Sequence, residues 1–475
     1  MSLDVNAAPT TAWPAPDPAT RRWVPASSTP VDHARVQALL ASEWERFAAN
    51  TPGSAAHNAQ ASTSLPLGVT SSFQHWDPYP ISIVSARGAW LTDVDGRQLL
   101  DLSMGFGAMM VGHLNPVVVE HVERALHDTG TLFVTPSPSA TEVAERFQRR
   151  FGLDLLRFTN SGTEATMYAV RTARAYTQRH GIIKIEGGYH GGYDALSVSV
   201  KPGVSEAGPE DAPIPVTPFE VEAGLVYVVP YNDLDRLNAI LAEHASEIAA
   251  VVMEPVLENV SIVLPDEGYL AGVRAACDAH GVLLVFDEVK TGLTAGYAGA
   301  SQRLGVTPDL VCLAKSIGGG LPLAAFGGRN EVMQAVVDNR MPHFGTYNGN
   351  PLVMAAAMAV DELCTPEALD AAENLNVQAL NAIDAVITQH ELPAHTVGFG
   401  VKGAVTWATA PVRNYRDYKR TDFETAELSW LWGVNRGVLT PPGLDEQWLV
   451  SLMHTSDDMN LLVSVFAELA EALRA

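Results

Sequence analysis

Val282-Leu283-Leu284-Val285-Phe286-Asp287-Glu288 is an unbroken apolar run that stops on two carboxylates. A short run without polar alternation reads as a strand buried on both faces, as in a parallel sheet covered by helices. A second such run, Leu310-Val311-Cys312-Leu313-Ala314, stops on Lys315, and Gly318-Gly319-Gly320 follows at once. Upstream, Leu155–Phe158, Ile182–Ile185, Val226–Val229 and Ala249–Met253 are further short apolar runs, separated by stretches of helical periodicity. Strand and helix alternating in this way predict an α/β fold, a mostly parallel sheet between two layers of helices.

Outside this block the pattern changes. Val36, Leu39, Leu40 and Phe47 share one side of a helix predicted over Val31–Ala49. Residues 50–75 are small, polar and broken by Gly and Pro, and read as loop. Ile81–Leu102 alternates around Asp95-Gly96, a hairpin signature. Residues 202–224, rich in Pro and Glu, read as a surface excursion. Helical patterns resume after Pro351, over Thr421–Arg436 and from Asp457 to the end. No internal repeat is visible.

The chain has 475 residues, 47% of them hydrophobic, enough for a large core and more than one lobe. Its net charge of −24 argues against nucleic acid and anionic membrane as partners, which carry the same sign. Cys277, Cys312 and Cys364 are too scattered for a disulfide framework or a zinc site and read as buried small hydrophobes. Residues 1–30, rich in Ala, Pro and Thr, lack the basic start and apolar core of a secretory signal and read as a mobile tail. No apolar run reaches the roughly 18 residues of a membrane span. The expectation is a soluble, cytoplasmic protein.

Open α/β sheets bind ligands at the carboxyl ends of their strands, and chemistry collects there. Asp287 ends one buried strand, where a carboxylate needs a positive partner. Lys315 ends another beside glycines that keep bulk away, a candidate amine for attack on a carbonyl. Phe158-Thr159-Asn160-Ser161-Gly162-Thr163-Glu164 leads into a helix, so backbone N–H groups, two hydroxyls and the positive dipole end make an anion site. Gly187-Gly188-Tyr189-His190-Gly191-Gly192 sets an aromatic ring among glycines, where a flat group can stack. Gly345-Thr346-Tyr347-Asn348-Gly349-Asn350-Pro351 is a polar turn ahead of a helix. Each element alone has an ordinary reading: a salt-bridged Asp, a snorkelling Lys, an N-cap, a turn.

Together and in this order they resemble the class III aminotransferases among the fold type I pyridoxal-phosphate enzymes, closest to the glutamate-1-semialdehyde aminomutase subgroup. The resemblance covers about residues 35–475. Besides the stretches above, it rests on Gly68-Val69, Asp93-Val94-Asp95-Gly96, Gly112-His113, Pro230-Tyr231-Asn232-Asp233, Glu254-Pro255-Val256 and Asp287-Glu288-Val289.

The resemblance implies pyridoxal 5'-phosphate bound to Lys315 as a Schiff base, with Lys315 then moving the proton. It implies Asp287 against the pyridine nitrogen, Tyr189 stacked on the ring, and Ser161, Gly162 and Thr163 on the phosphate. Thr346 would reach the phosphate from a neighbouring subunit, so a homodimer with shared sites is expected. The implied layout is a large cofactor domain over 103–350 and a small α+β domain from 31–102 and 351–475. No metal is called for.

Gln74, Phe106, His190, Asn259 and Glu446 are the candidate substrate-pocket residues. Where the subgroup pattern has an arginine for a substrate carboxylate, this chain has Gln74, which cannot make a bidentate charged pair. Leu439–Ser451 holds no arginine, and Arg413, Arg416 and Arg420 read as surface charges. The expected activity is therefore amino transfer between an amine or (β-)amino acid and a 2-oxo acid acceptor. The alternatives are the intramolecular transfer of the aminomutase, and a racemase, epimerase or decarboxylase on the same cofactor.

Overall fold

The computed structural model describes residues 29–217, 224–441 and 447–475. Most of the expected N-terminal tail and Glu446 lie outside them. Three short strands, β1 (Ile83–Arg87), β2 (Trp90–Asp93) and β3 (Gln98–Asp101), form antiparallel pairs after an N-terminal helix, His33–Asn50. The Asp95-Gly96 turn joins β2 to β3, with Gly96 at φ +81°, a conformation open to glycine.

The central sheet holds β4 (Leu155–Thr159), β5 (Gly181–Ile185), β6 (Val226–Val229), β7 (Ile248–Met253), β8 (Leu283–Asp287), β9 (Leu310–Leu313) and β10 (Ala324–Gly328). Their order is β4-β10-β9-β8-β7-β5-β6. All run the same way except β10, which is antiparallel to both its neighbours. Alternate residues of the buried strands feed two cores. Ile182, Val252 and Val285 pack on the side of helix Gly162–Thr177, while Ile183, Val251 and Leu284 pack toward helices Leu234–His244 and Tyr269–His280. This is the α/β architecture expected, with a mostly parallel sheet.

The remaining strands are β11 (His395–Phe399), β12 (Lys402–Thr406), β13 (Val438–Leu439) and β14 (Trp448–Leu449). β13 pairs in parallel with β3, and β14 antiparallel with β12. Glu43 of the first helix forms an ion pair with Arg436 at 3.1 Å and accepts from Asn435, so the two ends of the chain meet.

Two expectations are corrected, and one further strand is found that the apolar runs do not mark. Residues 50–75 are not all loop, because Pro52–Ala61 is an α-helix. Proline is at home in its first turn, and Asp95, 42 and 41 residues on, accepts from the Gly53 and Ser54 N–H groups at 2.6 and 3.1 Å. Strand β10 went unread because Ala324-Ala325-Phe326-Gly327-Gly328 carries two glycines. Both are required, since a Cβ on Gly327 would sit 2.5 Å from the Leu155 carbonyl oxygen and one on Gly328 2.0 Å from that of Asp309. Arg416 is not a surface charge; it is buried in an ion pair with Glu186 at 2.7 Å.

Cys277, Cys312 and Cys364 are buried and free, and burial pushes Cys277 and Cys364 up to about 12. Among the described residues no helix is long and apolar enough to cross a membrane.

Candidate active site

Strands β4, β5, β7, β8 and β9 present their carboxyl ends on one rim. β4 leads through Asn160 to Ser161, whose hydroxyl accepts from the Glu164 N–H at 3.2 Å and caps helix Gly162–Thr177. The cap leaves the Gly162 and Thr163 N–H groups at the positive end of a sixteen-residue helix. A side chain at Gly162 would press on Val289, with a Cβ 3.1 Å from its Cγ1. β5 leads into the glycine turn bearing Tyr189 and His190, and β7 delivers Glu254. β8 ends at Asp287. β9 runs through Ala314 to Lys315, which adopts φ +50° and opens a single 3₁₀ turn.

These side chains line one cavity of about 430 Å³, together with Phe73, Phe106, Asn160, Asn259 and Lys290. Asp287 is 4% exposed; its Oδ1 accepts from the Val289 N–H at 3.0 Å and its Oδ2 lies 2.8 Å from His190 Nδ1. Phe73 stands edge-on to Tyr189, ring centres 5.5 Å apart, and tilts against Phe106 at 5.9 Å. Burial, reinforced by the Asp287 charge, holds the Tyr189 phenol above its usual range.

Glu254 is 2% exposed. Its Oε2 accepts from the Glu258 N–H at 2.9 Å, and its Oε1 has no hydrogen-bond partner among the described residues. Burial is the main cause that lifts its carboxyl out of the ordinary range; the Asp287 charge adds to it and His190 opposes it. Behind this wall Lys402 and Glu258 form a buried ion pair at 2.6 Å, and Lys290 donates to the Glu258 carbonyl at 2.7 Å.

Of the residues expected from sequence, the cavity gathers Lys315, Asp287, Ser161, Gly162, Thr163, Tyr189, Phe106, His190 and Asn259. Thr346 is exposed and does not line it. Gln74 is also exposed and outside the lining, its Oε1 accepting from the Thr70 N–H at 3.2 Å and hydroxyl at 2.7 Å. Glu446 lies outside the described residues. The wall residues not assigned to the site from sequence include Phe73, Glu254 and Lys290. Phe73 is next to Gln74, Glu254 opens the Glu254-Pro255-Val256 stretch, and Lys290 follows the Asp287 strand.

The donor set fits a phosphorylated aromatic aldehyde with a basic ring nitrogen. A helix N-terminus with hydroxyls faces an anion, a carboxylate a ring nitrogen, Tyr189 a flat face, and Lys315 a carbonyl carbon.

A family model described as aminotransferase class III matches residues 72–414. A glutamate-1-semialdehyde 2,1-aminomutase of Methanocorpusculum labreanum is 38% identical over 413 residues, 86% of this chain and 97% of that protein. A solved glutamate-1-semialdehyde-aminomutase variant from Pseudomonas aeruginosa PAO1, in complex with PMP, is similar with a TM-score of 0.86 and 28% identity, covering 94% of this chain and 100% of that one. An omega-transaminase from Sphaerobacter thermophilus is similar with a TM-score of 0.84 and 32% identity, over 89% and 98% of the two chains.

Proposed function

The chain belongs to the class III aminotransferases and works with pyridoxal phosphate, and on that footing we propose that it shifts an amino group within one small amino-carbonyl substrate, the reaction named for its aminomutase relatives. The observation that carries this reading is the end-to-end match to those enzymes, 86% of this chain against 97% of the relative. Gln74, the departure that spoke against it, hydrogen-bonds Thr70 outside the cavity, so its identity does not set what the cavity wall offers a substrate.

When bound, pyridoxal phosphate supplies an electron sink for a carbon that loses a proton. Ser161, Gly162 and Thr163 would hold the phosphate, Tyr189 the ring face, and the Asp287 carboxylate the protonated ring nitrogen. Lys315 Nζ would anchor the group and, once released, take the proton from one carbon and return it to another. Asn259 and Phe106 would bound the substrate side.

We further propose a homodimer in which Thr346 of the partner subunit completes the phosphate site. Thr346 is exposed on its own subunit, between Phe344 and Tyr347, which expose 77% and 62% of their surface. Apolar side chains of that size in solvent are the kind an interface covers. A cytoplasmic setting is proposed with it, in keeping with three free, buried thiols.

The second reading is transfer from a bulky or aromatic amine to a 2-oxo acid, and the Phe73–Phe106–Tyr189 wall favours it. The two separate in one assay. The purified enzyme is given an amino donor with and without added pyruvate or 2-oxoglutarate, and the product is identified. Turnover of glutamate 1-semialdehyde without an acceptor supports the first reading; product only when an acceptor is present overturns it in favour of the second.

A further inference from the structure

Lys184 sits in the middle of β5, a strand buried at every position and otherwise made of Gly181, Ile182, Ile183 and Ile185. It is fully buried. An amine there is costly unless its hydrogens are used, and an aliphatic side chain would fill the same space without that cost. The hydrogens are used on two backbone carbonyls: Nζ donates to Gly188 at 2.8 Å and to Val198 at 2.6 Å.

Both carbonyls belong to irregular backbone around the site. Gly188 precedes Tyr189 in a turn where Gly187 and Gly191 adopt φ +80° and +89°; Val198 precedes Ser199, a non-glycine residue at φ +51°. Left-handed backbone of this kind is held by its surroundings and not by its own preference. Other contacts hold the far side of the turn: Thr166 Oγ1 donates to the His190 carbonyl at 2.6 Å, and the Gly192 N–H donates to Thr163 Oγ1 at 3.2 Å. On the near side, the Gly188 N–H donates to the Ile185 carbonyl at 3.2 Å and the Gly187 N–H to the Ser199 carbonyl at 2.9 Å, and the Lys184 amine adds a side-chain grip from within the sheet.

We propose that Lys184 is a positioning residue that holds the Tyr189–His190 turn in place beneath the cofactor ring, tying it to the Val198 segment. Burial draws this amine down to about 7, with the Glu254 charge opposing the shift. A neutral amine has two N–H groups, enough for both carbonyls, so the clamp persists on either side of that value. The inference rests on Tyr189 being the ring's stacking partner, and its test is chosen so that the two ideas fail separately.

Lys184→Met and Lys184→Gln are compared with Ile183→Ala, which removes buried packing from the opposite face of the same strand. For each, the thermal midpoint, the dissociation constant for pyridoxal phosphate and the visible circular dichroism of the bound cofactor are measured. Both Lys184 variants are expected to bind pyridoxal phosphate at least about tenfold more weakly, the scale of one lost buried hydrogen bond, with a diminished dichroic band. Ile183→Ala should lower the midpoint and keep both cofactor signals. The assignment is overturned if either Lys184 variant keeps wild-type affinity and dichroism, or if Ile183→Ala loses them equally. Tyr189→Phe is the separate control for the platform. Should Tyr189→Leu leave affinity and dichroism unchanged while Tyr189→Phe does too, the stacking reading falls, whatever the Lys184 variants do.

Discussion

His190 Nδ1 lies 2.8 Å from Asp287 Oδ2, and both side chains are almost wholly buried in the floor of the cavity. The imidazole thus takes one oxygen of the carboxylate and the Val289 N–H takes the other, which fixes the plane of the group.

Asp287→Asn should therefore keep cofactor binding and lose most turnover, on the order of a hundredfold or more. Asparagine preserves shape and removes the negative charge that favours a protonated ring nitrogen. A near-native rate, measured with the bound cofactor confirmed by absorbance, would show that Asp287 only caps its strand.

Borohydride reduction should fix the cofactor to Lys315. Lys290 also lines the cavity, but its Nζ is turned to the Glu258 carbonyl at 2.7 Å. Peptide mapping of the reduced protein decides between the two, and an adduct on Lys290 would displace Lys315 from its assigned role.

Thr346→Ala should weaken phosphate binding in the other subunit. A mixed dimer of Lys315→Ala and Thr346→Ala chains carries one doubly damaged site and one intact site. Activity should return on mixing, above that of either parent. Heterodimers that form without any such gain would place Thr346 outside the site.

Specificity should follow Phe73 and ignore Gln74. Phe73→Ala removes an aromatic wall and should change the kcat/KM ratio between an aromatic and a small aliphatic donor by about three- to tenfold. Gln74→Arg, whose parent side chain bonds Thr70 outside the cavity, should leave that ratio in place. A large shift from Gln74→Arg would mean that the loop turns inward when substrate binds.

The pH dependence of stability carries the mark of Lys184. Its folded value is about 7 against an ordinary 10.5, so between those limits the unfolded chain binds more protons than the folded one. Stability from this group is then lowest below pH 7 and rises with pH through that window. Denaturant unfolding of wild type and Lys184→Met at pH 6.5 and pH 9 tests the sign: wild type should gain on the variant as pH rises.

Much of this was readable because buried parallel strands announce themselves as apolar runs, and Asp287 and Lys315 end two of them. Ser161 was readable from a strand-turn-helix pattern whose cap is local. Three things were hidden for physical reasons. The helix Pro52–Ala61 takes its cap from Asp95, far along the chain, and Pro52 is the one local mark of its start. β10 buries Ala324 and Phe326 but is otherwise short and carries two glycines, and its pairing on both sides is a long-range fact that no local pattern announces. The direction of Gln74 is set by a hydrogen bond to Thr70, which residue type alone does not reveal.

The reversed strand β10 lies between β9, which ends toward Lys315, and β4, which ends toward Ser161. A Cβ on Gly162 would nevertheless stand 3.7 Å from the Cβ of Ala314, so the helix that opens after Ser161 sets the anion anchor beside the amine anchor across the intervening strand. The two anchors are neighbours, and a substitution that shifts either one disturbs both ends of a bound guest together.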